Sequence, residues 1–178
     1  GGGGKYFTQR PDGRDIFQKM QAQGYRVARS WEKAGALPSG KTLVVAAPGN
    51  LPPPSKRGDV FRQAAVKALD TLSRNPNGFF LMIEGSNIDK AAHSNNLEEM
   101  MEELLDFDRA AGAVLDWASK HPGTLVVITA DHNTGAFALT GGSREKGEIT
   151  ARFGSGSHDG VAVPVYAFGA GSGAFTGI

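Results

Sequence analysis

The chain has no cysteine. That excludes disulfides, thiolate metal sites and cysteine nucleophiles together, and leaves histidine, aspartate and glutamate as the side chains able to hold a metal ion. An excess of either charge is lacking too: 19 Lys and Arg stand against 18 Asp and Glu, for a net charge of +1. With no basic run and no aromatic-interleaved patch, the composition argues against a nucleic-acid partner. No apolar run approaches the roughly 20 residues of a membrane-crossing helix. A charged-then-apolar leader is likewise not visible, so no transmembrane segment or signal peptide is expected in these residues. What is present is 178 residues with 40% apolar content, enough to bury a core, with one domain as the default reading. No internal repeat recurs at a fixed period.

Apolar periodicity predicts alternating helices and strands. "RDIFQKMQAQGY" (14–25) sets Ile16, Phe17 and Met20 on one helical stripe, and "YRVA" (25–28) and "TLVVAA" (42–47) read as strands. "PGNLPPPSKRG" (48–58) has four prolines in eleven residues and must be a loop, the best internal boundary. "DVFRQAAVKALDTLSRN" (59–75) predicts a helix N-capped by Asp59, with Phe61, Ala65, Ala68, Leu69 and Leu72 inward. It leads to an apolar strand, "GFFLMI" (78–83). A long amphipathic helix follows within 95–123, its stripe running through Leu97, Met101, Leu104, Phe107 or Asp108, Ala111 and Leu115 until Pro122 and Gly123 end it. Met100 and Met101 are read as core. "TLVVITA" (124–130) and "VAVPVYAFG" (161–169) complete the strands, Pro164 arguing for an edge or a bulge. The pattern predicts an α/β layered sheet with helices on both faces.

In such folds chemistry gathers at the carboxyl ends of strands. Glu84 closes the strand 78–83, and Asp131 and His132 in "TADHNTG" (129–135) close another. An ionised carboxylate entering a core is costly without a partner, and a metal ion is one such partner. If the residues after Asn87 turn helical, Asp89 and His93 share a face at i, i+4. His158 lies in a glycine-serine loop, "FGSGSHDG" (153–160), able to swing toward an open coordination position. Bland readings compete: Glu84 could pair with a lysine, Asp131 and His132 could cap a helix, and His121 in "KHPG" is a helix-end residue. Three of only four histidines beside strand-end carboxylates tip the balance toward a metal centre. Asp89, His93 and His158 form a three-ligand set that leaves a fourth position open, while Asp131 and His132 diverge and need further partners. Glu84, an oxygen donor, suits Mg²⁺. Nitrogen-rich and oxygen-rich subsites in one chain point to two-metal, in-line phosphoryl chemistry.

"GFFLMIEGSNIDKAAH", "TLVVITADHNTG" and a downstream "SHDG" strongly resemble the C-terminal half of alkaline phosphatases. "GGGGKYF", whose glycines suit a tight turn or close backbone approach, is similar to the glycine-run-plus-aromatic segment midway through those enzymes. "GYRVARS" and "NPNGFF" fall in family order, and the likeness covers nearly the whole chain, more loosely between Ser30 and Arg57.

The resemblance implies an alkaline-phosphatase-like α/β fold, with residues 1–178 a single domain incomplete at its N-terminus. It implies two Zn²⁺ and one Mg²⁺: Asp89, His93 and His158 on the first zinc, Asp131 and His132 on the second, Glu84 on magnesium. Lys90 falls where some members reach phosphate through water. Small phosphate monoesters are the implied substrates, through a phosphoserine whose serine precedes the glycine run in the family and is not assignable here. A complementary N-terminal half and a homodimer are compatible partners, and a periplasmic or secreted location follows by likeness. The few residues between Thr134 and His158 imply a compact member. Open alternatives are a phosphodiesterase, sulfatase or phosphosugar enzyme on the same scaffold, or a non-catalytic metal-binding fragment that docks its missing half.

Overall fold

The computed structural model describes residues 1–35, 37 and 40–176, and these form two compact units. The first comprises 1–60 and 67–81, the second 61–66 and 82–176. No helix among the described residues is long and apolar enough to cross a membrane.

In the first unit the glycine run lies flush on the backbone of 47–49. The amides of Gly3, Gly4 and Lys5 donate to the carbonyls of Gly49, Ala47 and Pro48 at 2.6, 2.9 and 2.9 Å. A side chain at Gly2 would collide with the Gly49 carbonyl, so the close backbone approach expected of this run is what the structure contains. Helix α1 (Lys5–Thr8) follows, then α2 (Ile16–Ala22). Asp15 starts α2 by accepting from the amides of Phe17 and Gln18, which satisfies two otherwise orphaned donors. Phe17 is buried, stacked on Phe7 with ring centroids 4.9 Å apart and overlaid by the Arg29 guanidinium at 4.3 Å. Strands β1 (Arg26–Ala28) and β2 (Thr42–Val44) pair in parallel, with α3 (Trp31–Gly35) lying between them in sequence. A parallel pair requires such a crossover. The Pro-rich stretch holds one short helix, α4 (Pro54–Arg57), with Pro at its first position, where a missing N–H costs nothing.

Helix α5 (Val60–Leu72) contributes residues to both units and buries Ala65 and Leu69. Asp59 stands at its N-cap position, but its side chain makes no capping bond, contrary to the sequence expectation. The predicted strand 78–83 is not laddered into any sheet among the described residues. Its period of two survives in the burial, with Leu81 and Ile83 half-buried between Phe80 and Met82, which are 88% and 74% exposed.

The second unit is built on two helices packed against each other, α6 (Ser86–His93) and α7 (Leu97–Ser119). Asn96 caps α7 by accepting from the Glu99 amide, with Glu98 and Glu99 complementing the positive helix start. The buried face of α7 is Met100, Glu103, Asp106, Ala110 and Ala118, one step round from the predicted stripe; Leu104 and Leu105 face out. The rotation follows from two buried acids that apolar periodicity cannot anticipate. Glu103 accepts from the Asn87 amide nitrogen at 3.2 Å, and the fully buried Asp106 accepts from Arg109 at 3.1 Å.

Past α7, His121 stacks on Trp117 at 3.7 Å and shares a 2.7 Å hydrogen bond with its carbonyl, a helix-end role as expected. Strand β3 (Leu125–Ile128) is followed by β4 (Asn133–Thr134), β5 (Ala138–Ser143), β6 (Glu148–Arg152), β7 (His158–Asp159) and β8 (Tyr166–Gly169). They form three antiparallel pairs, β3 with β8, β4 with β7 and β5 with β6. β3 alternates exposed and half-buried residues instead of being buried throughout. The predicted strand 161–169 is laddered only from Tyr166, because Pro164 has no N–H to give a neighbour. Its carbonyl instead accepts from the Thr129 hydroxyl at 3.1 Å. The β5–β6 hairpin escaped the sequence reading, since its exposed strands carry few apolar residues to mark a period.

Candidate metal centre

Helix α6 is amphipathic over barely two turns. Ala91 and Ala92 pack with Met100 into a core flanked by Ile88, Leu97, Phe137 and Phe153. That anchoring turns Asp89 and His93 to the opposite side, one turn apart. Phe107 packs so closely over the start of α6 that a Cβ at Gly85 would lie 2.8 Å from its ring.

Opposite them stands the β4–β7 pair, in register Asn133 with Asp159 and Thr134 with His158. His158 is therefore held in a ladder, not carried on a free loop. The turn closing this pair is tied by Gly135, whose amide donates to the Ser157 carbonyl at 2.9 Å and whose carbonyl accepts from Gly154 and Ser155 at 2.9 and 3.1 Å. Asp159 reinforces it, accepting from Asn133 at 2.9 and 3.1 Å, from the Ala136 amide at 3.0 Å and from the Val161 amide at 3.0 Å. Those bonds, the one from Val161 foremost, hold the Asp159 carboxyl below its ordinary pKa against partial desolvation.

The result is that Asp89, His93 and His158 converge, one ligand atom from each lying within 4.8 Å of the others. His93 Nε2 is 3.0 Å from His158 Nε2 and 3.4 Å from Asp89 Oδ1, and His158 Nε2 is 3.6 Å from the same oxygen. The tautomer of neutral His93 is set by its other nitrogen: Nδ1 is 2.7 Å from the Gly156 carbonyl, which can only accept, so Nδ1 carries the hydrogen. Neutral His93 then turns a bare Nε2 lone pair toward a second imidazole nitrogen and a carboxylate. A cation set among these three atoms would draw on all of their lone pairs; without one, a hydrogen carried on His158 Nε2 bridges the two rings. Two imidazoles and one carboxylate are a donor set suited to zinc, with room for further ligands.

A second pair of donors adjoins the first. His132 stacks on His158 with centroids 3.5 Å apart, and its Nε2 is 3.3 Å from Asp131 Oδ2. No helix follows Asp131 and His132; β4 does, which removes the capping alternative. Glu84 is exposed just after the stretch 78–83 and joins no cluster of potential ligands among the described residues. Lys90, on α6, reaches the Asn87 side-chain oxygen at 3.3 Å. Ser94 and Ser155 each donate to a backbone carbonyl, of Lys90 and Ser157 respectively.

Residues the sequence reading passed over are Thr134, Asn133 and Asp159. Their signal was present: polar side chains directly beside the ligands in "DHNT" and "SHD", where a metal site's supporting hydrogen bonds are usually drawn from.

A family model described as Alkaline phosphatase matches residues 1–148. Alkaline phosphatase 4 of Bacillus subtilis is 36% identical over 148 residues, 82% of this chain and 32% of that protein. The streptomycin-6-phosphate phosphatase of Streptomyces griseus is 32% identical over an alignment that takes in 95% of this chain and 49% of its own. Among solved structures, the alkaline phosphatase of the Antarctic bacterium TAB5 superposes with a TM-score of 0.86 at 32% identity, covering 98% of this chain and 54% of that one. A mutant of the TAB5 enzyme has Mg bound in its M3 site. The chain thus spans about a third to a half of the length of these relatives.

Proposed function

The chain belongs to the alkaline phosphatase family and has its mixed helix-and-sheet fold, and from that premise we propose that it carries the metal-holding part of a phosphate monoester hydrolase. In this reading Asp89, His93 and His158 hold one Zn²⁺, Asp131 and His132 contribute to a second, and Glu84 contributes to a Mg²⁺ site. Bound there, the ions would supply Lewis acidity and positive charge for a transferring phosphoryl group. The observation that carries the reading is the bare His93 Nε2 facing His158 Nε2 at 3.0 Å beside Asp89.

The chain's own residues prepare this chemistry. The Gly156 carbonyl aims His93, fixing the tautomer that ligates through Nε2. Asp89, Asp131 and Glu84 bring formal negative charge to offset that of the cations. Lys90, exposed on the ligand helix, offers an ammonium to a phosphate oxygen through water. The hydroxyls of Ser94 and Ser155 are engaged with backbone, which supports a phosphoserine formed on a serine other than these. We assign that serine to the remainder of the family fold, which residues 1–178 would complete as the C-terminal half of one catalytic domain, in a periplasmic or secreted setting.

A phosphosugar-type substrate is favoured as a second reading by one relative, named for streptomycin 6-phosphate, whose alignment takes in 95% of this chain. The test is twofold. Metal analysis of the purified chain should find tightly held zinc. With the other half of the family fold supplied, phosphate release should be fast from an aryl phosphate and slow from an aryl sulfate or an aryl diester. Preference for streptomycin 6-phosphate over the aryl phosphate would select the second reading. Tight zinc without turnover of any ester would make the chain a non-catalytic metal-binding fragment.

A further inference from the structure

Thr134 is 7% exposed, on β4, and its hydroxyl touches both ligand sets. Oγ1 lies 2.7 Å from Asp89 Oδ1 and 3.1 Å from His132 Nδ1. A hydroxyl has one hydrogen, and an ionised carboxylate can only accept, so that hydrogen goes to Asp89. The threonine oxygen is then left to accept from His132. His132 therefore carries a hydrogen on Nδ1 and, as the neutral ring, presents a bare Nε2 3.3 Å from the Asp131 carboxylate. The direction of this short chain, His132 to Thr134 to Asp89, is dictated by the chemistry of its last member.

We propose that Thr134 is a positioning residue that couples the two ligand sets, so that filling one raises the affinity of the other; the proposal rests on the zinc reading above. The coupling is physical contact, not proximity alone. Thr134 pairs with His158 in the β4–β7 ladder, and the His132 ring stacks on that of His158. Ordering Asp89 and His158 around one cation therefore also orders Thr134 and, through it, the rotamer and tautomer of His132. A second cation then meets a ligand whose freedom has already been lost, which is positive cooperativity without any large movement. A β-branched side chain, stiff at χ1 and buried, transmits such a restraint better than a flexible one.

The experiment uses the 178-residue chain, zinc as the probe, and the variants Thr134→Val and Thr134→Ser. Nitrogen-15 spectra of the metal-free parent should show His132 with its hydrogen on Nδ1; an Nε2–H form overturns the proposal without recourse to any variant. Calorimetric titration of the parent should show one zinc equivalent at Asp89, His93 and His158 and, positively coupled to it, a weaker second equivalent at Asp131 and His132, whose ligand set this chain supplies in part; a single equivalent alone overturns the proposal. Thr134→Val keeps the shape and removes the hydroxyl. It should leave His132 in mixed tautomers, weaken the second equivalent by about 10- to 100-fold and abolish the coupling, while Thr134→Ser behaves as the parent. Two coupled equivalents in Thr134→Val, with an unchanged His132 spectrum, overturn the proposal and leave the zinc reading standing. A parent chain that binds no zinc overturns the zinc reading, and the coupling with it.

Discussion

His93 Nε2 and His158 Nε2 stand 3.0 Å apart although 65 residues separate them in the chain. Each is fixed from a different side, His93 by the Gly156 carbonyl and His158 by its ladder with Thr134.

His158→Ala removes one of three converging donors without touching the Ala91, Ala92 and Met100 core. Zinc affinity of the chain should fall by more than the roughly 10- to 100-fold typical of losing a supporting hydrogen bond. Far-ultraviolet circular dichroism should stay as in the parent. Unchanged zinc content by metal analysis would take His158 out of the ligand set.

Asp89→Asn is a finer probe, because it keeps an oxygen that can accept from Thr134 while deleting the negative charge. A purely structural Asp89 would tolerate the change. As a ligand beside two neutral imidazoles it supplies the set's only formal charge, so affinity for zinc should drop by at least about tenfold. Equal isotherms for parent and variant would count against its role.

Acid should loosen the turn at 10–14. Arg10 holds the Asp12 carboxyl below its ordinary value, chiefly through a side-chain hydrogen bond at 2.7 Å, helped by the Arg14 amide. A carboxyl whose folded pKa is depressed binds protons more readily when unfolded. Its stabilisation is therefore present above the unfolded value of 3.8 and is lost as pH falls through the lower folded value. A carbon-13 titration of the Asp12 carboxyl should show a midpoint below 3.8 that rises toward it in Arg10→Ala. A midpoint unmoved by that substitution would contradict the pairing.

What the sequence made legible was local. Asp89 and His93 share a helical face because four residues make one turn, and β1, β2 and β3 announced themselves as apolar runs. Illegible were the features set by partners distant in the chain. The stretch 78–83 has the composition of a strand, but pairing, not composition, makes one. The buried face of α7 turned on Glu103 and Asp106, whose burial depends on hydrogen-bonding partners that no periodicity encodes. Thr134 and Asp159 stand beside candidate ligands in the sequence, but what they support is decided by what they touch, 45 and 26 residues away.

The support beneath the candidate site can be tested apart from its ligands, at Gly135. Its φ of +83° lies in the left-handed region, where a side chain costs about 1–2 kcal/mol. A Cβ there would also sit 2.8 Å from the Phe153 ring and 3.1 Å from the Ala92 carbonyl. The ring can turn aside, whereas the carbonyl belongs to the helix that carries His93 and cannot move without moving it. Gly147, at φ +65° and with no atom within 4 Å of where a Cβ would stand, has the backbone strain without the contact. Gly147→Ala should therefore lower the melting temperature by roughly 2–8 °C, the conformational cost alone, at about 2–4 °C per kcal/mol for a chain of this size. Gly135→Ala should lower it further and, by shifting α6 against β7, should also weaken zinc binding, which Gly147→Ala should leave intact. Equal losses of stability in the two variants, with zinc affinity untouched in both, would mean that the tie between β4, β7 and α6 does not hold the ligands in place.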